Sequence, residues 1–222
     1  TYSDNATFDG ATTLTSGTGG ISFGGSLTGP VATSDLTVSA GTGDFSVGGA
    51  TTNVNNLNVT SAANVTFTGA LTAAGNLDIA ATGDISAGNT VSVSNLNITS
   101  ATNVTFTGAV TATGDVDIAA TGDISAANTV NVSNLTVASA ADVTFTGAVS
   151  ATGNVDVTNS GDLTFTGVLS AANLDATTTG NVSAVNVSNA ISGTTTFTVG
   201  GNVDYKEAGS ILLGAATIGG LA

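Results

Sequence analysis

The sequence predicts an all-β parallel β-solenoid. Three observations predict it. A 39-residue repeat divides into half-repeats of 19 and 20 residues, apolar and polar residues alternate within each half, and Lys, Glu, Gln and Arg are almost absent.

The repeat is plainest in three consecutive segments. They are NLNVTSAANVTFTGALTAAGNLDIAATGDISAGNTVSVS from Asn56, NLNITSATNVTFTGAVTATGDVDIAATGDISAANTVNVS from Asn95, and NLTVASAADVTFTGAVSATGNVDVTNSGDLTFTGVLSAA from Asn134. A degenerate copy starts at Asn173. The half-repeats align with each other, so Leu36, Leu57, Leu77, Leu96, Val116, Leu135, Val155 and Leu174 form one apolar column. Two residues later a second column begins at Val38 and Val59, and six further on a third begins at Val65 and Ile85. Period-two alternation is the strand signal, and each run stops at Gly, Asn, Asp or Ala-Ser. Three short strands fit each coil, for example Leu57–Val59, Val65–Phe67 and Ala70–Thr72. Stacked coils lie about 4.8 Å apart, so about ten of them make a rod roughly 50 Å long.

Core and turn positions follow from the columns. Phe67, Phe106 and Phe145 alternate with Ala87 and Ala126, and Phe165 follows, so these phenylalanines are assigned to the interior. A large side chain leaning over a small neighbour fills the space between coils. Asn56, Asn76, Asn95, Asn134, Asn154 and Asn173, with Asp115 among them, form a turn column suited to a side-chain hydrogen-bond ladder. A second turn column reads Asn64, Asp84, Asn103, Asp123, Asp142, Asp162, Asn181. Alternating Asn with Asp keeps carboxylates from stacking at about 4.8 Å. The alternation fails at Asp123, Asp142 and Asp162, and again at Asp156 and Asp175. The first three are therefore a candidate weak calcium site, since hard cations favour clustered oxygens.

Residues 35–193 carry the regular repeat. Residues 1–34, with Pro30 and the glycine pairs Gly19-Gly20 and Gly24-Gly25, are expected to form looser coils or a cap. Residues 194–222 are expected to be a cap or an assembly segment. There Ile211, Leu212, Leu213, Ile218 and Leu221 are apolar and no charge follows Glu207. An open strand edge with no charge to block it invites pairing, so a head-to-tail homopolymer is the expected assembly.

Composition excludes several functions. The net charge is −14, Lys206 is the one basic residue, and fourteen of the 15 acids are Asp. Nothing is present to neutralise nucleic-acid phosphates or anionic lipid. No apolar run reaches the length of a membrane span, so no membrane insertion is expected. Lacking His and Cys, the chain cannot build a Ser-His-Asp or Cys-His site. Asp recurs in almost every coil rather than clustering once beside His, Arg or Lys, so no catalytic residue and no enzyme activity are assigned. No cofactor other than calcium is expected. The absence of Met implies a processed chain or a piece of a longer one.

Coils of nineteen to twenty residues with runs such as GNLDIAATGDISA and GDVDIAATGDISA resemble the repeats of filamentous haemagglutinin-like adhesins. The resemblance covers about residues 35 to 193 and is one of repeat type and length. It implies a right-handed parallel β-helix, an extracellular cell-surface location and a structural or adhesive role, with host or matrix glycans as partners. Two alternatives stand beside it. Thr66-Phe67-Thr68, Thr105-Phe106-Thr107, Thr144-Phe145-Thr146 and Thr164-Phe165-Thr166 look like the Thr-x-Thr face of ice-binding β-helices. A polysaccharide-binding β-helix is the other.

Overall fold

The computed structural model describes residues 1–31 and 33–220. The chain winds as a β-solenoid of three parallel sheets, and each coil crosses the three in a fixed order. Among the described residues, sheet I has ten strands, from Ala6–Thr7 to Ala190–Ile191. Sheet II has eleven, from Thr12–Thr15 to Leu212–Ile218, and sheet III ten, from Ile21–Phe23 to Val203–Tyr205. Every paired strand has a parallel partner one coil away. Leu77, for example, stands between Leu57 and Leu96, and Ile85 between Val65 and Val104.

The period-two pattern becomes an inside and an outside. In Val65–Phe67 and Val104–Phe106 the first and third residues are buried while the middle threonine faces out. Strands of this type need only three residues, because each side chain is covered by the coils above and below rather than by its own strand. The expected coil is corrected in two places. The sheet II strand is longer than predicted, Leu57–Ala62 instead of Leu57–Val59, and the sheet I strand is Leu71–Ala73, not Ala70–Thr72. A register shift after Ile79 absorbs the residue by which 20-residue and 19-residue coils differ.

Phe67, Phe106, Phe145 and Phe165 are all buried, as the repeat predicts. Phe106 pairs in register with Ala87 below and Ala126 above. Where the alternation ends, Phe145 and Phe165 are direct partners and stack with ring centroids 5.2 Å apart and planes 10° from parallel. Ala126 lies between Phe106 and Phe145, and a small void of about 10 Å³ remains beside it.

The stacking extends past the regular repeat at both ends. In residues 1–31 the strands Ala6–Thr7, Thr12–Thr15 and Ile21–Phe23 occupy the three sheets in order. Their side chains are only partly covered: Leu14 and Phe23 are half-buried and Tyr2 is 52% exposed. At the other end Thr194–Val199 and Val203–Tyr205 still pair normally. Leu212–Ile218 then joins sheet II alone, against Thr194–Val199.

Candidate functional site

Two corners and the trough beside one of them hold most of the polar chemistry. At the corner between sheets I and II, the predicted ladder is present. Asn76 N–H donates to Asn56 Oδ1 at 2.8 Å, Asn95 Nδ2 to Asn76 Oδ1 at 2.9 Å, and Asp115 N–H to Asn95 Oδ1 at 2.8 Å. The chain of bonds continues through Asn134, Asn154 and Asn173 to the N–H of Thr194. Asp35 starts it. Its carboxylate accepts from the Asn55 amide and from both the backbone and side chain of Asn56. The Asn55 bond, followed by the Asn56 backbone bond, holds its pKa below the usual carboxylate value against the opposing effect of burial.

The donor alternates between backbone N–H and side-chain amide, and glycine decides which. Gly75, Gly114 and Gly153 precede the residues that donate through the backbone. A Cβ on Gly114 would lie 2.1 Å from Asn95 Oδ1, and on Gly153 2.2 Å from Asn134 Oδ1. Only a residue without a side chain lets that oxygen rise under the backbone. Where Ser94, Ser133 or Ala172 takes the same place, the next Asn donates through Nδ2. Sequence reasoning found the ladder but missed this coupling of Gly-Asx pairs to the bonding mode.

The second turn column, between sheets II and III, is also a ladder. It runs from Asp44 through Asn64, Asp84, Asn103, Asp123, Asp142 and Asp162 to Asn181. In each step an Oδ1 accepts from the backbone N–H one coil on. This geometry corrects the calcium expectation. Asp123, Asp142 and Asp162 do stack in successive coils, but one Oδ1 after another is aligned along the axis on an N–H. Among the described residues no group of three acidic side chains converges on a point that could hold a metal ion.

Charge is segregated around the rod. Asp78, Asp117, Asp156 and Asp175 sit at outward positions of sheet II, and Asp84, Asp123, Asp142 and Asp162 at the corner that follows. Sheet III presents Ser46, Thr66, Ser86, Thr105, Ser125 and Thr144 at its successive outward positions. Asp156 and Asp175 are direct partners, and burial first, then the charge of Asp175, raises the Asp156 pKa.

Where the sheet II strands end, before the second turn column, runs a trough of about 790 Å³, from the coil of Ala120 to that of Thr217, with no charged residue in its lining. Ala120, Ala140, Asn159, Thr178 and Val199 make its floor. Asn159 stands where the coils before it have Ala. It is buried, and its Nδ2 donates to the carbonyls of Ala141, Gly161 and Asp162 at 3.2, 2.9 and 3.1 Å, bracing the turn. The hydroxyls of Ser139, Ser160, Thr121, Thr178 and Thr179 donate to backbone carbonyls one coil back. The exposed wall is mainly carbon, although the hydroxyls of Thr158, Thr177, Thr198 and Thr217 are not among those donated to the backbone. No sequence signal marks this trough, because its walls are ordinary Ser, Thr and Ala.

The assembly residues lie where an edge strand would place them. Ile211, Leu212 and Leu213 are exposed at 45, 63 and 54%, while Ile218 is half-buried. Leu221 lies outside the described residues. Next to them, Glu207 supplies what a further sheet I strand would: its Oε1 accepts from the N–H of Ile191 at 2.9 Å. Its Oε2 accepts from the Tyr205 hydroxyl at 3.1 Å. Burial, then the Glu207 charge and this bond, pushes the Tyr205 pKa up to about 12.

No protein-family model matches the chain, and comparison with curated proteins and with solved structures finds no significant match.

Proposed function

We propose that this protein is an extracellular structural or adhesive rod of the filamentous haemagglutinin-like kind, joined end to end into a cell-surface filament. The observation that carries the reading is the strand Leu212–Ile218. Its inner edge pairs with Thr194–Val199, and it presents Ile211, Leu212 and Leu213 to solvent beside an outer edge that no described residue covers. Unpaired N–H and C=O groups beside exposed apolar side chains are a template for another strand. The strand Thr12–Thr15 is the outermost of sheet II at the opposite end, with half-buried Leu14 ready to be covered. A contact between unlike ends propagates, and acidic flanks keep neighbouring filaments apart. Electron microscopy and sedimentation of the intact protein test the reading. Filaments are expected, and deletion of residues 208–222 should leave folded monomers. An intact protein that stays monomeric at high concentration overturns it. A glycan array then tests adhesion to carbohydrate.

A second reading is favoured by sheet III, whose outward mid-strand position is Ser or Thr from Ser22 through Ser183. A flat, uncharged hydroxyl ladder suits ice binding. The neighbouring column is broken by Gly88 and Ala127, which weighs against it. Arrest of ice recrystallisation, lost on Thr105→Tyr, would support this reading over the filament.

A further inference from the structure

We propose that a cleft along the last coils of sheet I binds a protonated amino sugar, its ammonium group on Glu207 and its ring hydroxyls on Thr152, Ser170, Ser192 and Ser210. The proposal rests on the adhesive side of the reading above and gives it a ligand chemistry. It does not need the filament, because the cleft is complete within one copy.

The site is built around one carboxylate. Sheet I ends at Ala190–Ile191, and residues 206–210 cross over that end. Fully buried Asn189 pins the crossing on both sides of Glu207. Its Nδ2 donates to Lys206 O at 3.0 Å, and its carbonyl accepts from Ala208 N–H at 2.9 Å. The Glu207 carboxylate is fixed as well: Oε1 accepts from Ile191 N–H and Oε2 from the Tyr205 hydroxyl. Beside this crossing opens a cleft of about 390 Å³, running along sheet I from the coil of Thr152 to that of Ser210. Three coil steps make it about 14 Å long, enough for a disaccharide.

Glu207 selects positive charge. Both of its partners are neutral, so its charge is oriented without being neutralised. Each carboxylate oxygen keeps acceptor capacity beyond the one bond it makes. The charge is felt nearby: after burial, it is what pushes the Tyr205 pKa up to about 12. An ammonium group answers it with a charge-assisted bond, about twice as strong as a neutral one. A metal ion would need converging oxygens, and among the described residues no group of three acidic side chains supplies them. The larger trough on sheet II has no charged residue in its lining, so Glu207 is what sets this cleft apart.

The rest of the lining selects a sugar over a plain alkylamine. Thr152, Ser170, Ser192 and Ser210 stand at successive coils, and none of their hydroxyls bonds within the described chain. They can donate to and accept from ring hydroxyls along the length of the ligand. Ala172 and Ala190 lie among them and offer methyl groups to the C–H face of a pyranose.

Titration calorimetry at low salt with the β-1,4-linked glucosamine dimer, at a pH where its amines are protonated, tests this. Saturable binding is expected. Glu207→Gln keeps an oxygen for Ile191 N–H but removes the charge, and should weaken binding about tenfold or more. Ser192→Trp, at an exposed position, should fill the cleft and block binding. Asp84→Asn removes the same charge at a distant corner and should change affinity by less than about twofold. Circular dichroism checks that each variant is folded. The N-acetylated dimer, which has lost its charges, and 1,3-diaminopropane, which has no hydroxyls, should both bind more weakly. Equal losses in Glu207→Gln and Asp84→Asn would mean diffuse attraction to an acidic chain and overturn the proposal. So would equal binding of the acetylated dimer or of 1,3-diaminopropane, or binding untouched by Ser192→Trp. Filaments that bind no amino sugar overturn this inference alone, whereas a protein that binds it and stays monomeric supports this inference while the filament reading falls.

Discussion

The middle of the rod and its last strand differ in a direction opposite to their hydrophobicity. Leu212–Ile218 reads LLGAATI and is more apolar than Val104–Phe106 or Val110–Ala112, yet it is exposed at every residue but Ile218, which is half-buried. In the middle strands the inward residues are almost fully covered. The difference teaches that burial in this fold is granted by the neighbouring coils, not by the strand's own sequence. A side chain at Phe106 is packed from below by Ala87 and from above by Ala126, whereas Leu212 has a partner only at Thr194.

The sharpest way to break that comparison is to truncate one side chain in each region. Phe106→Ala should destabilise by about 3–5 kcal/mol, because the site is already next to a small void and cannot collapse onto Ala126. Leu212→Ala should cost less than about 0.5 kcal/mol in the isolated rod, as surface changes do. Urea unfolding of both variants measures the gap. Similar losses would show that the last strand is packed as tightly as the middle.

The ladders give a second, smaller contrast. Gly114→Ala forces a Cβ toward Asn95 Oδ1 and breaks the bond to Asp115 N–H, for an expected loss of about 1–3 kcal/mol. Ala172→Gly, at the equivalent place in a coil that donates through Nδ2, should cost about 1 kcal/mol or less, from backbone entropy alone. Equal effects, read from thermal melts, would refute the coupling between glycine and bonding mode.

At the end of the stack the contrast is one of pH. Tyr205 has its pKa raised from 10.0 to about 12, so the folded state holds its proton more tightly than the unfolded one. The stability this contributes is complete below pH 10 and is lost as pH rises through about 12. Hydrogen exchange of the amides near Ile191 and Tyr205 should therefore speed up in this window before the middle coils respond. Glu207→Gln should lower the Tyr205 pKa and shift the onset downward.

How much of this was legible follows from what a column shows. Inward positions were readable because each coil repeats the test: Phe67, Phe106, Phe145 and Phe165 all fall inside. The Asn56-to-Asn173 ladder was readable for the same reason. Its mechanism was not. In the second turn column the Asn–Asp alternation was read as charge spacing, while the bonds show that Oδ1 is the shared requirement and either residue supplies it. The expected calcium site failed because adjacency in a column is not convergence: stacked carboxylates at Asp123, Asp142 and Asp162 are aligned with the axis, each receiving an N–H. The trough was invisible because it is made by where hydroxyls point, which residue identity does not record.

The smallest expected effect concerns Asp156, the acid for which the ladder offers no help. Both ladders give a carboxylate an N–H to accept; Asp156 instead faces Asp175 one coil away on the surface of sheet II. Its pKa is raised, by burial first and by Asp175 second, so the folded state favours the protonated form more than the unfolded state does. The sign of the linkage follows. The contribution is fully favourable only below the ordinary value of 3.8 and turns into a cost as pH rises through the folded value. At neutral pH, Asp156→Asn should therefore stabilise the rod by a few tenths of a kcal/mol, about the size expected for a like-charge pair on a sheet after solvent screening. The gain should fade as pH is lowered and vanish only well below 3.8, where the carboxyl is neutral in both states. Asp175→Asn should give part of the same gain, and the double variant less than the sum, because one repulsion cannot be relieved twice. Additive gains, or a gain that persists at low pH, would place the cause in packing and not in the Asp156–Asp175 pair.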